Sequence, residues 1–197
     1  MLNRTLGLVT APTVEPVTLL EAKTHLRVDN TAEDALIALL IASAREHVEG
    51  ATGRALMQQE WAFGLTAFPG TTGAIELPRP PLQTVLSFQS YAEASIGVTM
   101  TGWQLVADTG PYAQPGKLYP AAGASWPGIV GDGMRRVVYI QYRAGYASAS
   151  AVPAPLRAAM LLLLGDLYEN REAAVRRDMV ANPAVERLLN PYRLVTV

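Results

Sequence analysis

Cysteine is absent from the 197 residues, which excludes a disulfide framework, a thiolate zinc site and a cysteine nucleophile. Histidine occurs twice, as His25 and His47, and lysine twice, as Lys23 and Lys117. Charge is scarce: 17% of the residues are Asp, Glu, Lys or Arg, against about 25% in an average soluble domain. The 16 basic and 17 acidic residues leave a net charge of −1, so neither a dedicated nucleic-acid binder nor an acidic tail is indicated. Long apolar runs are missing too. Ala35 to Ala42 and Ala158 to Leu164 fall far short of the ~20 residues that span a bilayer. The opening residues Met1 to Leu8 lack the apolar core of a signal peptide. The expectation is a soluble protein without membrane contact or export signal.

What is present is hydrophobic residue, at 50% of the chain, and that excludes disorder over most of its length. With so few charges to coat a surface, the composition fits a subunit with large permanent contacts or, equally, a well-packed monomer. Residues 1–17 carry Pro12 and Pro16 and no periodicity, and read as an extended arm. Thr18 followed by Glu21 spells a capping box opening a short helix that ends near Arg27 or Val28. Asp29-Asn30-Thr31 reads as turn and cap of a second helix, whose Ile37, Leu40, Ile41, Ala44 and Val48 recur at spacings of three and four up to Gly50 or Gly53. So broad a stripe has to bury against more than one neighbour.

From Glu60 the pattern turns to alternation. Strands are expected at Trp61 to Leu65, Ile75 to Leu77, Thr84 to Ser90, Trp103 to Ala107 and Arg136 to Tyr142. The last is apolar on both faces and so central to its sheet. Residues 108–133, rich in Gly and Pro, read as a long irregular excursion carrying Trp126. A third helix opens at Pro155 and ends near Arg171, and Asn182-Pro183 caps a last short one. The expected fold class is α+β: a small helical bundle from 18–54 and 151–189, a β-rich insertion at 55–150, the arm at 1–17 and a strand-like tail at 190–197.

Chemistry is harder to find. His25 and Asp29 are spaced i, i+4, but the helix ends between them and two ligands do not fill a coordination sphere, so no metal is assigned. No Gly-x-Ser-x-Gly elbow, P-loop or dinucleotide fingerprint occurs. Neither catalytic residue nor cofactor is assigned. Asp166 and Glu169 are the carboxylates left for an alternative of another class, a small hydrolase. Trp126, in its Gly/Pro loop, is a candidate interface anchor, and Glu169 and Arg171 are candidates for a subunit contact or a local ion pair.

Two segments carry a resemblance. Val17 to Asp29, leading through Glu33-Asp34 to Ala44-Arg45-Glu46-His47-Val48-Glu49 and Thr52-Gly53-Arg54, resembles the opening of the head-to-tail connector (adaptor) family of long-tailed bacteriophages and gene transfer agents. Ile75 to Leu82, Tyr142-Arg143-Ala144-Gly145-Tyr146, Val152-Pro153, Leu167 to Glu172 and Leu188 to Arg193 are similar to that family's later motifs. Each motif alone is a cap or a turn; their order and spacing carry the likeness. The resemblance implies a non-enzymatic virion protein of the neck. It implies a ring of copies, typically twelve, beneath the portal protein. That ring extends the channel through which genomic DNA passes without specific binding, and it seats a stopper or tail-completion protein. A tail-completion or tail-terminator subunit is the structural alternative. The C-terminal segment from Asn182 is expected to dock on the portal, with Tyr192, Arg193, Leu194 and Val195 as contacts. Deleting 190–197 is expected to abolish that docking and leave the fold intact.

Overall fold

The computed structural model describes residues 4–91, 97–128, 137–170 and 182–194. In chain order the elements are β1 (Arg4–Thr10), α1 (Leu19–Leu26), α2 (Asp34–Thr52), β2 (Gln59–Leu65), β3 (Ile75–Leu77), β4 (Leu82–Tyr91), β5 (Gly97–Thr99), β6 (Trp103–Val106), β7 (Gly116–Pro120), β8 (Val138–Ala144), α3 (Ala154–Glu169) and α4 (Pro183–Leu189). Two compact units share the chain. One takes Met1–Pro12 and Gln58–Gly145, the other Thr13–Met57 and Tyr146–Val197. The α+β class expected from the sequence holds.

In the helical unit the capping box is formed in full. The Thr18 hydroxyl accepts from the Glu21 amide at 3.2 Å, and the Glu21 carboxylate accepts from the Thr18 amide at 2.8 Å. Arg27 ends α1 in the left-handed region at φ 58°. The cap of α2 differs from expectation. Glu33 is the cap and makes no side-chain cap bond; its carboxylate accepts from the Tyr168 hydroxyl instead, while Asn30 Oδ1 accepts from the Ala32 amide at 3.1 Å in a local turn. Ile37, Ile41, Ala44 and Val48 are buried as their spacing requires, and α2 packs on α1, α3 and α4. Leu156, Ala159, Met160 and Leu164 of α3 meet them in the core. Asn182 caps α4 by accepting from the Ala184 amide at 3.1 Å.

The β-rich unit holds a five-stranded antiparallel sheet of order β1-β2-β8-β4-β5 and a three-stranded sheet of order β3-β7-β6. β8 lies at the centre of the larger sheet, as its two apolar faces require. Register sets Leu8 beside Trp61 and Trp61 beside Tyr142, with Leu6, Phe63 and Ile140 in the next row. Residues 4–10, expected as an arm, are instead an edge strand on β2. β7 sits inside the stretch expected to be irregular. It is held by β3 and β6 on either side, and Gly116 is needed there because a Cβ would lie 2.3 Å from the Leu82 side chain.

Trp126 is inside this unit, 3% exposed. Its ring stacks on Phe68 at 5.4 Å and meets Phe88 edge-on at 5.7 Å. Its amide donates to the Thr71 carbonyl and its indole N–H to the Gly73 carbonyl, both at 2.7 Å. This corrects the reading of Trp126 as an outward-facing anchor: a large ring with two backbone acceptors in reach is more stable sealed in than exposed.

Candidate partner-docking segment

The end of α2 builds the seat for the C-terminal segment. Gly53 stops the helix at φ 75°, its amide donating to the Glu49 carbonyl at 2.9 Å. That turn points Arg54 inward, where the side chain is 1% exposed and Nε donates to the Tyr192 carbonyl at 2.6 Å. Burial pushes the Arg54 guanidinium down from its usual range, opposed by the facing Tyr146 and Tyr192 phenols. The same burial pushes the Tyr146 phenol up. Two residues on, the Leu194 amide donates to the Thr52 carbonyl at 3.1 Å, and the Leu194 side chain lies over Gly53. A buried cation aimed at a backbone carbonyl is a positional clamp, since an alternative placement of the segment would leave it unsatisfied.

A second cluster stiffens the same helix. Arg45 donates through Nε to Glu15 and through Nη1 to Glu49, both at 2.9 Å. Glu49 uses its other oxygen to accept from the Leu56 amide at 2.8 Å. Burial works against the Arg45 charge, but Glu49 and then Glu15 outweigh it and raise its pKa. Arg45, Glu49 and Arg54 were not singled out as functional from the sequence. The signal was there: Arg45 and Glu49 are an i, i+4 pair flanking the apolar stripe of Ile41, Ala44 and Val48.

The segment itself is less tail-like than its composition suggests. Asn190–Tyr192 continues α4 as a 3₁₀ turn, and Tyr192 joins the hydrophobic core. Tyr192 is thus core in this structure, and the expectation that 190–197 could be deleted without harm to the fold does not hold. Arg193 is exposed and pairs with Glu186 at 2.5 Å, and Leu194 is half-buried. Val195 and Arg171 lie outside the described residues. Glu169 is exposed at the end of α3. Asp166 is exposed and accepts from the Asn182 side chain at 3.2 Å, a link between helix ends. His25 and Asp29 are not joined by further ligands: among the described residues no group of three His, Cys, Asp or Glu side chains could hold a metal. Among the same residues, no helix is long and apolar enough to cross a membrane.

Residues 16–100 match the model of the phage gp6-like head-tail connector proteins. A chain from the neck of an empty gene transfer agent particle, computed with C6 symmetry, is 30% identical. The likeness covers 98% of this chain and 97% of that one at a TM-score of 0.79. The chain belongs to the phage head-tail connector family. A chain of the native gene transfer agent virion gives 30% identity and TM-score 0.77, covering 98% and 96%. One from the native neck computed with C12 symmetry gives 28% and 0.71, covering 98% and 97%. No curated protein matches the sequence. This connector is therefore a structural, non-enzymatic protein of the neck of a phage-like particle, and the hydrolase alternative for Asp166 and Glu169 falls away.

Proposed function

We propose that copies of this connector form a twelve-membered ring beneath the portal protein, extend the DNA channel and seat a stopper or tail-completion protein. The observation that carries this reading is the likeness along nearly the whole chain, at TM-score 0.79, to a protein of a gene transfer agent neck. Twelve copies satisfy both the six-fold and the twelve-fold symmetry used for the related necks. A ring of identical chains needs two different mating faces on each subunit. The balanced charge suits a channel wall that meets DNA without gripping it, because many phosphate contacts would hold the DNA in place.

In this reading the C-terminal segment is the portal contact. Arg54 holds the Tyr192 carbonyl and Thr52 the Leu194 amide, so the exposed Arg193 between them is presented from a fixed root. Glu169 is a candidate for contact with the adjacent subunit. The test is electron microscopy of the assembled particle's neck. A ring of this chain between portal and tail is the expected result; a neck without it overturns the reading. For the portal contact, truncation after Tyr192 replaces truncation after Leu189, because it spares the core. The truncated chain is expected to keep its fold and lose co-assembly with the portal. Unchanged co-assembly would remove the assignment.

A further inference from the structure

Each sheet of the β-rich unit has an apolar strand at one edge among the described residues. Among the described residues, β1 has a single hydrogen-bonded neighbour, β2, and β6 has one, β7. Edge strands are usually blunted by proline, lysine or shortening. Neither strand carries proline or lysine; β1 runs for seven residues, and β6, at four, is blunted only by its shortness. Core-facing side chains are left uncovered at both edges. Leu6 and Leu8, in the rows of Phe63 and Trp61, are 38% and 49% exposed. Leu105, in the row of the fully buried Leu118, is 38% exposed. Each core face stops one strand short.

We infer that β1 of one copy pairs with β6 of the next, joining the two sheets across the subunit boundary. This rests on the ring reading and names its two mating faces. Three features favour a second copy as the occupant. The edges are different, as head-to-tail closure requires. Antiparallel pairing with Leu6 opposite Leu105 and Leu8 opposite Trp103 continues both core faces at once. The same register sets Arg4, the one charge on β1, opposite Ala107 and one position short of Asp108, so the charges near the matching ends are opposite in sign.

The chain has no cysteine, so an introduced pair reports without background. Gly7 has open space where a Cβ would go, and Gln104, exposed, falls opposite it in this register. Particles assembled with Gly7→Cys/Gln104→Cys and mildly oxidised are expected to give a ladder of covalent multimers on a non-reducing gel, and each single variant none beyond a dimer. A single-chain band, an intrachain disulfide, or a bond to another virion protein would overturn the pairing. Amide exchange on the unaltered protein gives the second measurement. Residues 4–10 and 103–106 are expected to exchange at least tenfold more slowly in particles than in the isolated chain, and equal rates would overturn it. Imaging of the same necks separates the two claims. A ring without cross-links or protection defeats the strand pairing alone, whereas a neck lacking the chain defeats the ring.

Discussion

Replacing Trp126 distinguishes a core role from a contact role more sharply than any other single change. A tryptophan side chain buries roughly 200 Å², which at about 25 cal/mol per Å² gives about 5 kcal/mol as an upper value. Core Trp→Ala changes cost about 3–5 kcal/mol, and Trp126 is 3% exposed with two aromatic neighbours. Trp126→Ala should therefore destabilise the isolated chain by about 3–5 kcal/mol. Trp126→Phe keeps a ring against Phe68 but removes the donor to the Gly73 carbonyl, for a loss of about 1–2 kcal/mol. Urea unfolding of the purified chain, followed by far-ultraviolet circular dichroism, measures both. If Trp126→Ala left the urea midpoint unchanged and only particle assembly suffered, the burial argument would be refuted and the ring would be a contact after all.

Gly73→Ala should cost about 1–3 kcal/mol or more, because a Cβ at Gly73 would lie 1.9 Å from the Pro69 carbonyl oxygen; Gly7→Ala, with open space at the same point, should stay within about 0.5 kcal/mol in the same urea titration. Arg54→Met retains the apolar stem and removes the donor to the Tyr192 carbonyl. A loss of about 1.5–3 kcal/mol is expected, with faster amide exchange at Leu194, and unchanged exchange there would show that the clamp is not needed. The Glu21 carboxyl is held below its usual 4.5, first by the Thr18 amide, then by the Thr18 hydroxyl, with burial opposing and Arg157 adding to it. Its stabilisation is complete above that usual value and is lost as the pH falls through the lower, folded value. Glu21→Gln should then weaken α1 at pH 7, by about 0.5–1 kcal/mol for an exposed cap. The difference from the unaltered chain should shrink as the pH is lowered below 4.5, and a constant difference would argue against the capped carboxylate.

Elements whose stability is written in neighbouring residues were legible from sequence. Thr18 with Glu21, Asn182 with Pro183, and the three-and-four spacing of α2 each specify their helix locally, and the structure has all of them. β8 announced its central place because both of its faces are apolar. β1 and β7 were not legible as strands. Gly7 interrupts β1's alternation, and Pro115 and Pro120 bracket β7. Both are held by ladders to residues 39 or more positions away in β2 and β3 for part of their length, as in Leu77 with Gly116. Pairing of that range leaves little local trace. Trp126 shows the same limit. Gly and Pro on both sides mark a loop, and nothing near it in sequence names Phe68, Phe88 or Gly73 as its partners.

The scarcity of charge takes on a definite meaning once the partners are known. Glu21 pairs with Arg157, Lys23 with Asp34, Glu15 and Glu49 with Arg45, Glu60 with Arg143, Glu76 with Lys117, and Glu186 with Arg193. Much of an already small charge complement is thus committed within the chain. Prominent among the groups left to a partner are apolar ones: Leu6, Leu8 and Leu105 at two strand edges, Leu20 on α1 and Leu39 on α2. Contacts of that kind discriminate by shape and register rather than by long-range attraction, which falls off within about 8 Å at physiological salt. A subunit that must meet many copies of itself in one order gains from that. Charge would draw copies together in any orientation, whereas a strand edge accepts a partner only in the register that continues its buried face.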